Sequence, residues 1–245
     1  HFDSTETASP VIKNNTISGN YANDGSSIFA SKATVLIDDN IIENNESTAK
    51  GTLCFDNCDL NIENNEIRNN TADSEAAVSI YGESIVTIYN NIITGNEATD
   101  GAGGGITLDN STAEINANNI TLNQCYGEGA GIFLKNETEQ TTISNNVIEE
   151  NNATGEGGYY SEDGNGAGIF IYNSSPLISG NTIEANTSEL DGAGIYAMYE
   201  SSPVIDDNDI INNNANKGSG IFIKNSSFEI INNNISSNTS SKLGG

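Results

Sequence analysis

The sequence predicts an all-β fold, a right-handed parallel β-helix (a β-solenoid) of about nine coils, and three observations predict it. The unit Ile-x-x-Asn-x-Ile-x-x-Asn recurs nine times, from Ile12–Asn15–Ile17–Asn20 to Ile230–Asn233–Ile235–Asn238. Successive first isoleucines lie 25, 25, 26, 27, 28, 35, 27 and 25 residues apart, a period in the range of stacked repeats. Each unit also carries a second apolar pair, such as Leu53/Phe55, Val78/Ile80, Ile132/Leu134 and Ile169/Ile171, which alternates with the period of two that marks one face of a strand.

The elements follow from these columns. No 11-residue window keeps a helical period, because Gly or Asn interrupts each candidate. Short strands, three per coil, stacked in parallel, therefore account for the chain. The isoleucines form the dry interior. The asparagines sit at corners, where Asn tolerates the left-handed conformation, and at the coil spacing of about 4.8 Å their amides can bond those above and below. Asp24-Gly25, Asp100-Gly101 and Asp191-Gly192 are turn signals between motifs. The spacing of 35 places an enlarged loop at about 154–166 in one domain spanning 1–245.

Composition narrows the function classes. Asp plus Glu number 34 against 8 Lys plus Arg, a formal net charge of −26. Phosphate neutralisation needs clustered Lys and Arg, so nucleic acid is excluded as a partner. Dispersed acidity suits a wall or saline environment, or surfaces bridged by calcium or other divalent cations. No apolar run approaches the roughly 18 residues of a membrane span. The chain begins with His1 rather than Met, as after removal of a leader, and the expected location is extracellular, at a cell surface or sheath.

The repeat resembles the right-handed parallel β-helix family, whose fold is shared by pectate lyases and many surface proteins. Among those proteins, the Asn-rich, acidic chains without a catalytic constellation are similar to archaeal β-solenoid surface proteins of the methanogen sheath type. The resemblance covers essentially the whole chain and implies the fold. It is weak for function, since one scaffold hosts lyases, glycosidases, adhesins and assembly proteins.

No catalytic, cofactor or metal site is expected. Asp38-Asp39 and Asp206-Asp207 with Asp209 are the obvious acidic pairs, yet six coils, roughly 30 Å, separate them. The only arginine is Arg68 and the only histidine is His1, so neither a lyase base nor a Ser-His-Asp arrangement is evident. Glu149 and Glu184 fall on adjacent coils, as many carboxylate pairs do by accident on an acidic solenoid.

Cys125 shares a column with Ala22, Ala72, Ala98, Ala153 and Ala215 and should be a small buried residue. Cys54 shares the outward column of Phe29, Ser79, Thr107, Phe133, Phe170, Tyr196 and Phe222, so its thiol should face solvent. Either Cys54 and Cys58 close a local disulfide, or Cys54 links to a neighbouring molecule; an odd cysteine points toward the second. An aligned aromatic stripe suggests a contact surface, for another solenoid, a flanking segment of the same chain, or a polysaccharide. Packing against another solenoid is the expectation, in which case Phe133→Ser with Phe170→Ser leaves the fold intact. Tyr159 and Tyr160 in the enlarged loop are a second candidate contact.

Asn-x-Ser/Thr occurs twelve times, with Asn110, Asn136, Asn173 and Asn225 at the bend after the aromatic strand as the best glycan candidates. Solenoid ends expose strand edges, and no amphipathic cap is evident here. The expected function is a self-assembling extracellular structural protein, of a sheath or surface layer, whose partner is itself and whose solenoids stack end to end and pack laterally into hoops or filaments. A carbohydrate-active enzyme of the pectate-lyase-like class and an adhesin binding cell-wall polysaccharide are the alternatives.

Overall fold

The computed structural model describes residues 2–3, 9–75, 77–137, 141–155 and 166–245. Four parallel sheets of nine strands each run the length of the molecule, every strand pairing with its counterpart one repeat away. The chain thus makes nine passes joined by eight steps, and the described residues contain no helix. Right-handed crossover is the rule for such parallel connections.

Sheet one is built from strands such as Ile28–Ser31, Leu53–Asp56, Ile132–Lys135, Ile169–Tyr172 and Ile195–Met198. Sheet two contains Thr34–Asp38, Asp59–Glu63, Ile85–Tyr89 and Thr112–Asn116. Sheet three contains Ile41–Glu43, Glu66–Arg68, Ile92–Thr94 and Asn119–Thr121. Registers are continuous, so Ile37, Ile62, Ile88, Ile115 and Ile143 stack as direct neighbours. All five are fully buried. β-branched side chains suit this surface because a pleated strand restricts χ1 little further than Ile already does.

The fourth sheet corrects the expectation of three strands per coil. Its strands, including Thr71–Ala72, Glu97–Ala98, Gln124–Cys125 and Asn152–Ala153, are mostly two residues long. Two residues are too few to show alternation. Their inward positions are small, and Ala98, Cys125 and Ala153 pack with Ala130 and Ala167 as a core of their own.

The asparagines form two ladders. In one, Asn45 Nδ2 donates to Asn70 Oδ1 at 3.0 Å, Asn70 Nδ2 to Asn96 Oδ1 at 3.0 Å and Asn96 Nδ2 to Asn123 Oδ1 at 2.9 Å. The other runs through Asn40, Asn65, Asn91 and Asn118 in the same way. Each oxygen also accepts a backbone N–H from the preceding ladder residue, as Asn123 Oδ1 does from Asn96 N. The corner itself differs from the expectation. The left-handed residue is the one before each ladder asparagine: Asn44, Asn69 and Leu122 precede Asn45, Asn70 and Asn123 with φ of 55°, 52° and 57°. This frees the ladder residue to turn its amide inward.

Leu122 is an expensive occupant of that corner, since a left-handed L-residue other than Gly, Asn or Asp costs about 1 kcal/mol, and it is 56% exposed. Leu122→Asn should therefore stabilise the protein by about 0.5–1 kcal/mol, raising the urea midpoint without changing the slope of the transition.

Candidate functional site

The column taken as an exposed stripe is not exposed. Cys54, Ser79, Thr107, Phe133, Phe170 and Tyr196 stack on the outer face of sheet one in direct register and all are buried, with Cys54 at 3% and Tyr196 at 0%. Phe29 and Phe222 are half-buried. The chain entering each sheet-one strand folds back over that face. A Cβ on Gly129 would lie 2.7 Å from Phe133 Cβ, and one on Gly192 would lie 2.7 Å from Tyr196 Cδ2. Both glycines have positive φ, 69° and 64°, so only glycine fits these positions without strain. Beneath this cover Phe170 stacks on Tyr196 at 5.2 Å and Tyr196 on Phe222 at 5.1 Å, with Phe133 tilted against Phe170 at 5.4 Å. The stripe is an outer hydrophobic core covered by the protein's own chain, which removes it as a lateral interface.

The cysteine expectations change with it. Cys54, Cys58 and Cys125 are all free and buried. Cys54 and Cys58 do not pair, and Cys54 does not present a thiol to a neighbour. Burial pushes the Cys54 thiol up to about 12 and raises those of Cys125 and Cys58 as well. Thiolate, not thiol, is the reactive species. The native protein at pH 8 should therefore show almost no reaction with a disulfide reagent, and all three thiols should titrate once it is unfolded.

Where the column turns polar, a buried carboxyl appears that sequence reasoning missed. Glu75 lies beneath the outer loops at 5% exposure. Ser79 bonds its carboxyl, while Glu75 Oε2 and the nearby Thr107 Oγ1 have no hydrogen-bond partner among the described residues. Desolvation pushes Glu75 up to about 7 against opposing Lys50 and Lys135, with Asp109 adding to the rise. Glu137 is pushed up to about 8, again by burial. Between the ordinary value of 4.5 and about 7 the folded state keeps a proton on Glu75 that the unfolded state releases. Stability contributed by neutral Glu75 is thus fully present below pH 4.5 and lost as pH rises through 7, by about 3 kcal/mol in total. Denaturant titrations from pH 5 to 8 should show this fall, and Glu75→Gln should flatten it.

The remaining sequence candidates are dispersed. Asp38 accepts from Asn64 Nδ2 at 2.9 Å and pairs with Lys13, and these bonds hold its carboxyl below the usual range. Asp206 Oδ1 accepts from Asn232 Nδ2 at 3.1 Å. Asp38 and Asp206 occupy the same column of sheet two, six steps or roughly 29 Å apart, and make no common site. Glu149 and Glu184 are register neighbours, with Glu184 Oε1 accepting from Asn212 Nδ2 at 2.9 Å. Arg68 is clamped between Glu43 and Glu66 at 2.7 and 2.6 Å. Among the described residues no three His, Cys, Asp or Glu side chains are grouped to hold a metal ion. Among the described residues there is no helix long and apolar enough to cross a membrane.

Asn110, Asn136, Asn173 and Asn225 are the left-handed residues of the bend after sheet one, with φ of 54°, 54°, 47° and 50°. Asn136 Nδ2 is bonded to Asp109 Oδ1 at 3.3 Å and Asn173 Nδ2 to Asn136 Oδ1 at 3.1 Å. Asn173 and Asn225 are exposed, while Asn110 and Asn136 are half-buried. Tyr159 and Tyr160 lie outside the described residues.

Two surfaces therefore stand out: the coil faces, where the ladders continue from pass to pass, and a trench along the bend between sheets two and three. The trench holds about 650 Å³ and crosses five coils, from Asn14–Thr16 to Ala117–Asn119. In comparisons with known proteins, the model of a right-handed β-helix region matches residues 1–120, 73–175 and 128–243, overlapping spans that together cover nearly all of the chain. No curated protein and no solved structure matches it.

Proposed function

We propose that this chain, which belongs to the right-handed β-helix family, is a self-assembling structural protein of an extracellular sheath or surface layer, with a second copy of itself as its partner and no catalytic role. The observation that carries this reading is the direction of the asparagine ladders. From one ladder residue to the next, the side-chain amide and the backbone N–H both donate to the Oδ1 of the following coil, every Oδ1 accepts from the preceding one, and the amide also donates back to an isoleucine carbonyl of the preceding coil. Two copies laid face to face can therefore join as two coils do. Asn233 and Asn238 of one would donate to Asn15 and Asn20 of the other. Ile230 and Ile235, 40% and 43% exposed, would cover Ile12 and Ile17, which are half-buried. Such a contact is heterologous, and heterologous contacts give open filaments or, with curvature, rings.

The charge opposes close approach. Copies bearing −26 each repel one another, and divalent cations between their carboxylates would relieve that repulsion. The test is electron microscopy of the full-length protein with calcium and with a chelator, beside Ile235→Lys. Rings or filaments in calcium, lost in Ile235→Lys while its circular dichroism is unchanged, are the expected result. Dispersed monomers at every concentration and calcium level would overturn the reading, as would filaments that tolerate a lysine at this face.

A further inference from the structure

The first and last coils carry opposite charge, which the net value of −26 conceals. Counted pass by pass, eight of the nine passes hold more carboxylates than basic side chains. The exception is the last, residues 221–245, where Lys224 and Lys242 outnumber Glu229. In the first pass Asp3, Glu6 and Asp24 outnumber Lys13. The one basic coil of an acidic rod is therefore the coil that would meet the first coil of the next copy.

Basic side chains in this molecule pair across coils. Four of the five ion pairs among the described residues join register partners one coil apart. They are Lys13 with Asp38, Arg68 with Glu43 at 2.7 Å, Lys135 with Asp109 at 3.4 Å and Lys217 with Asp191 at 3.1 Å. Parallel stacking favours this, since neighbours in one column lie about 4.8 Å apart.

The column of Asp109 and Lys135 begins at Asp3, which pairs in register with Ser31, and ends at Lys224. Lys224 has the uncharged Met198 as its register partner on the preceding coil. A second copy continuing the solenoid sets its Asp3 one step beyond Lys224. Lys242 adjoins Leu243, which continues the column of Asp191 and Lys217. Asp24 precedes Gly25 as Asp191 precedes Gly192, at equivalent left-handed corners with φ of 58° and 64°, so the next copy's Asp24 comes beside Lys242. The remaining charges do not oppose the match. Lys13 is held by Asp38 of its own chain, and Glu229 belongs to the column that starts at the apolar Val11.

We propose that the joint between copies is electrostatically polar, with Lys224 and Lys242 on the last coil of one copy paired with Asp3 and Asp24 on the first coil of the next. This rests on the self-assembly reading and adds a direction to it. Two last coils would set lysine against lysine, and two first coils carboxylate against carboxylate. Copies therefore join last coil to first, which gives filaments or rings in place of twofold dimers. Rim charges of this kind steer encounter and fix orientation, while the ladders and isoleucines supply the contact itself.

The test compares Asp3→Lys and Lys224→Asp, alone and mixed one to one, by sedimentation and electron microscopy in calcium. Asp3→Lys alone sets like charges at every joint, and no calcium ion can bridge two ammonium groups, so its critical concentration for filaments should rise about tenfold. Asp3→Asn should fall between it and wild type. Lys224→Asp should be impaired less, because calcium bridges facing carboxylates. In the mixture the altered face of each variant meets the altered face of the other, and native faces meet native faces. An alternating filament is then matched at every joint, so the mixture should assemble near the wild-type concentration and its pellet should hold the two variants in equal amounts. Unchanged circular dichroism in each variant excludes misfolding, and rescue on mixing does so independently. Asp3→Lys assembling alone at the wild-type concentration, or its absence from the mixed pellet, would overturn this proposal and leave self-assembly standing. A wild type that stays monomeric would overturn both.

Discussion

Phe133→Ser combined with Phe170→Ser should destabilise the protein by about 6 kcal/mol, enough to unfold it if its stability is that of an ordinary domain. Both rings are buried, at 1% and 0% exposure, and each removal costs about 3–5 kcal/mol in transfer and cavity terms. The two do not add fully, because the rings touch at 5.4 Å and the first substitution already loosens the second site. The expected readout is a large drop in urea midpoint for each single variant and loss of the cooperative transition in the double. Phe133→Leu, which keeps the apolar volume, should retain most of the stability. Full stability in the double variant would mean that the outer layer contributes nothing, and the stripe would be a free surface again.

That prediction reverses the one drawn from sequence, and the reason lies in what covers the rings. The interior columns were legible because every coil places Ile and Asn in the same surroundings, so their environment is written as a period. The cover has no apolar signature. It is made of Gly129-Ala130-Gly131, Gly166-Ala167-Gly168, Gly192-Ala193-Gly194 and Gly218-Ser219-Gly220, which read as flexible turns. The signal was nonetheless present as a pairing. Glycine at the first of these positions stands over Phe133, Phe170, Tyr196 and Phe222. Where the first of these positions is not glycine, at Lys50 and Glu75 in the coils of Cys54 and Ser79, the covered residue is smaller. Large residues below require small ones above.

The polar gap in the column follows from the same exchange. With Ser79 and Thr107 beneath the loops there is room for a side chain to turn inward, and Glu75 takes it. Sequence could not separate Glu75 from the other acidic residues, since burial there depends on a loop crossing from the neighbouring coil. The fourth sheet escaped notice for a simpler reason. Its column of Ala72, Ala98, Cys125 and Ala153 was visible as small residues, but two-residue strands such as Thr71–Ala72 carry no alternation to read.

Asn123→Ala should cost about 3–5 kcal/mol, far more than alanine at an exposed corner, because one side chain closes bonds on both neighbouring coils. Asn123 is fully buried. Its Oδ1 accepts from Asn96 N at 3.1 Å and Asn96 Nδ2 at 2.9 Å. Its Nδ2 donates to Ile93 O at 2.9 Å and Asn151 Oδ1 at 3.1 Å. Alanine leaves two donors of Asn96 and one carbonyl without these partners, in a place water does not reach. Each buried orphan costs about 1–3 kcal/mol, and the groups that keep a second bond fall at the low end. Asn123→Asp isolates the direction of the ladder. It retains an acceptor for Asn96 but turns an oxygen toward the Ile93 carbonyl and Asn151 Oδ1, so it should be no more stable than alanine at neutral pH and should recover as acid protonates it. A ladder that served only to fill volume would tolerate aspartate, nearly its isostere, at every pH. Equal stabilities for wild type and Asn123→Asp at pH 7 would therefore remove hydrogen-bond direction from the account of how coils join, and with it the basis for joining one copy to the next.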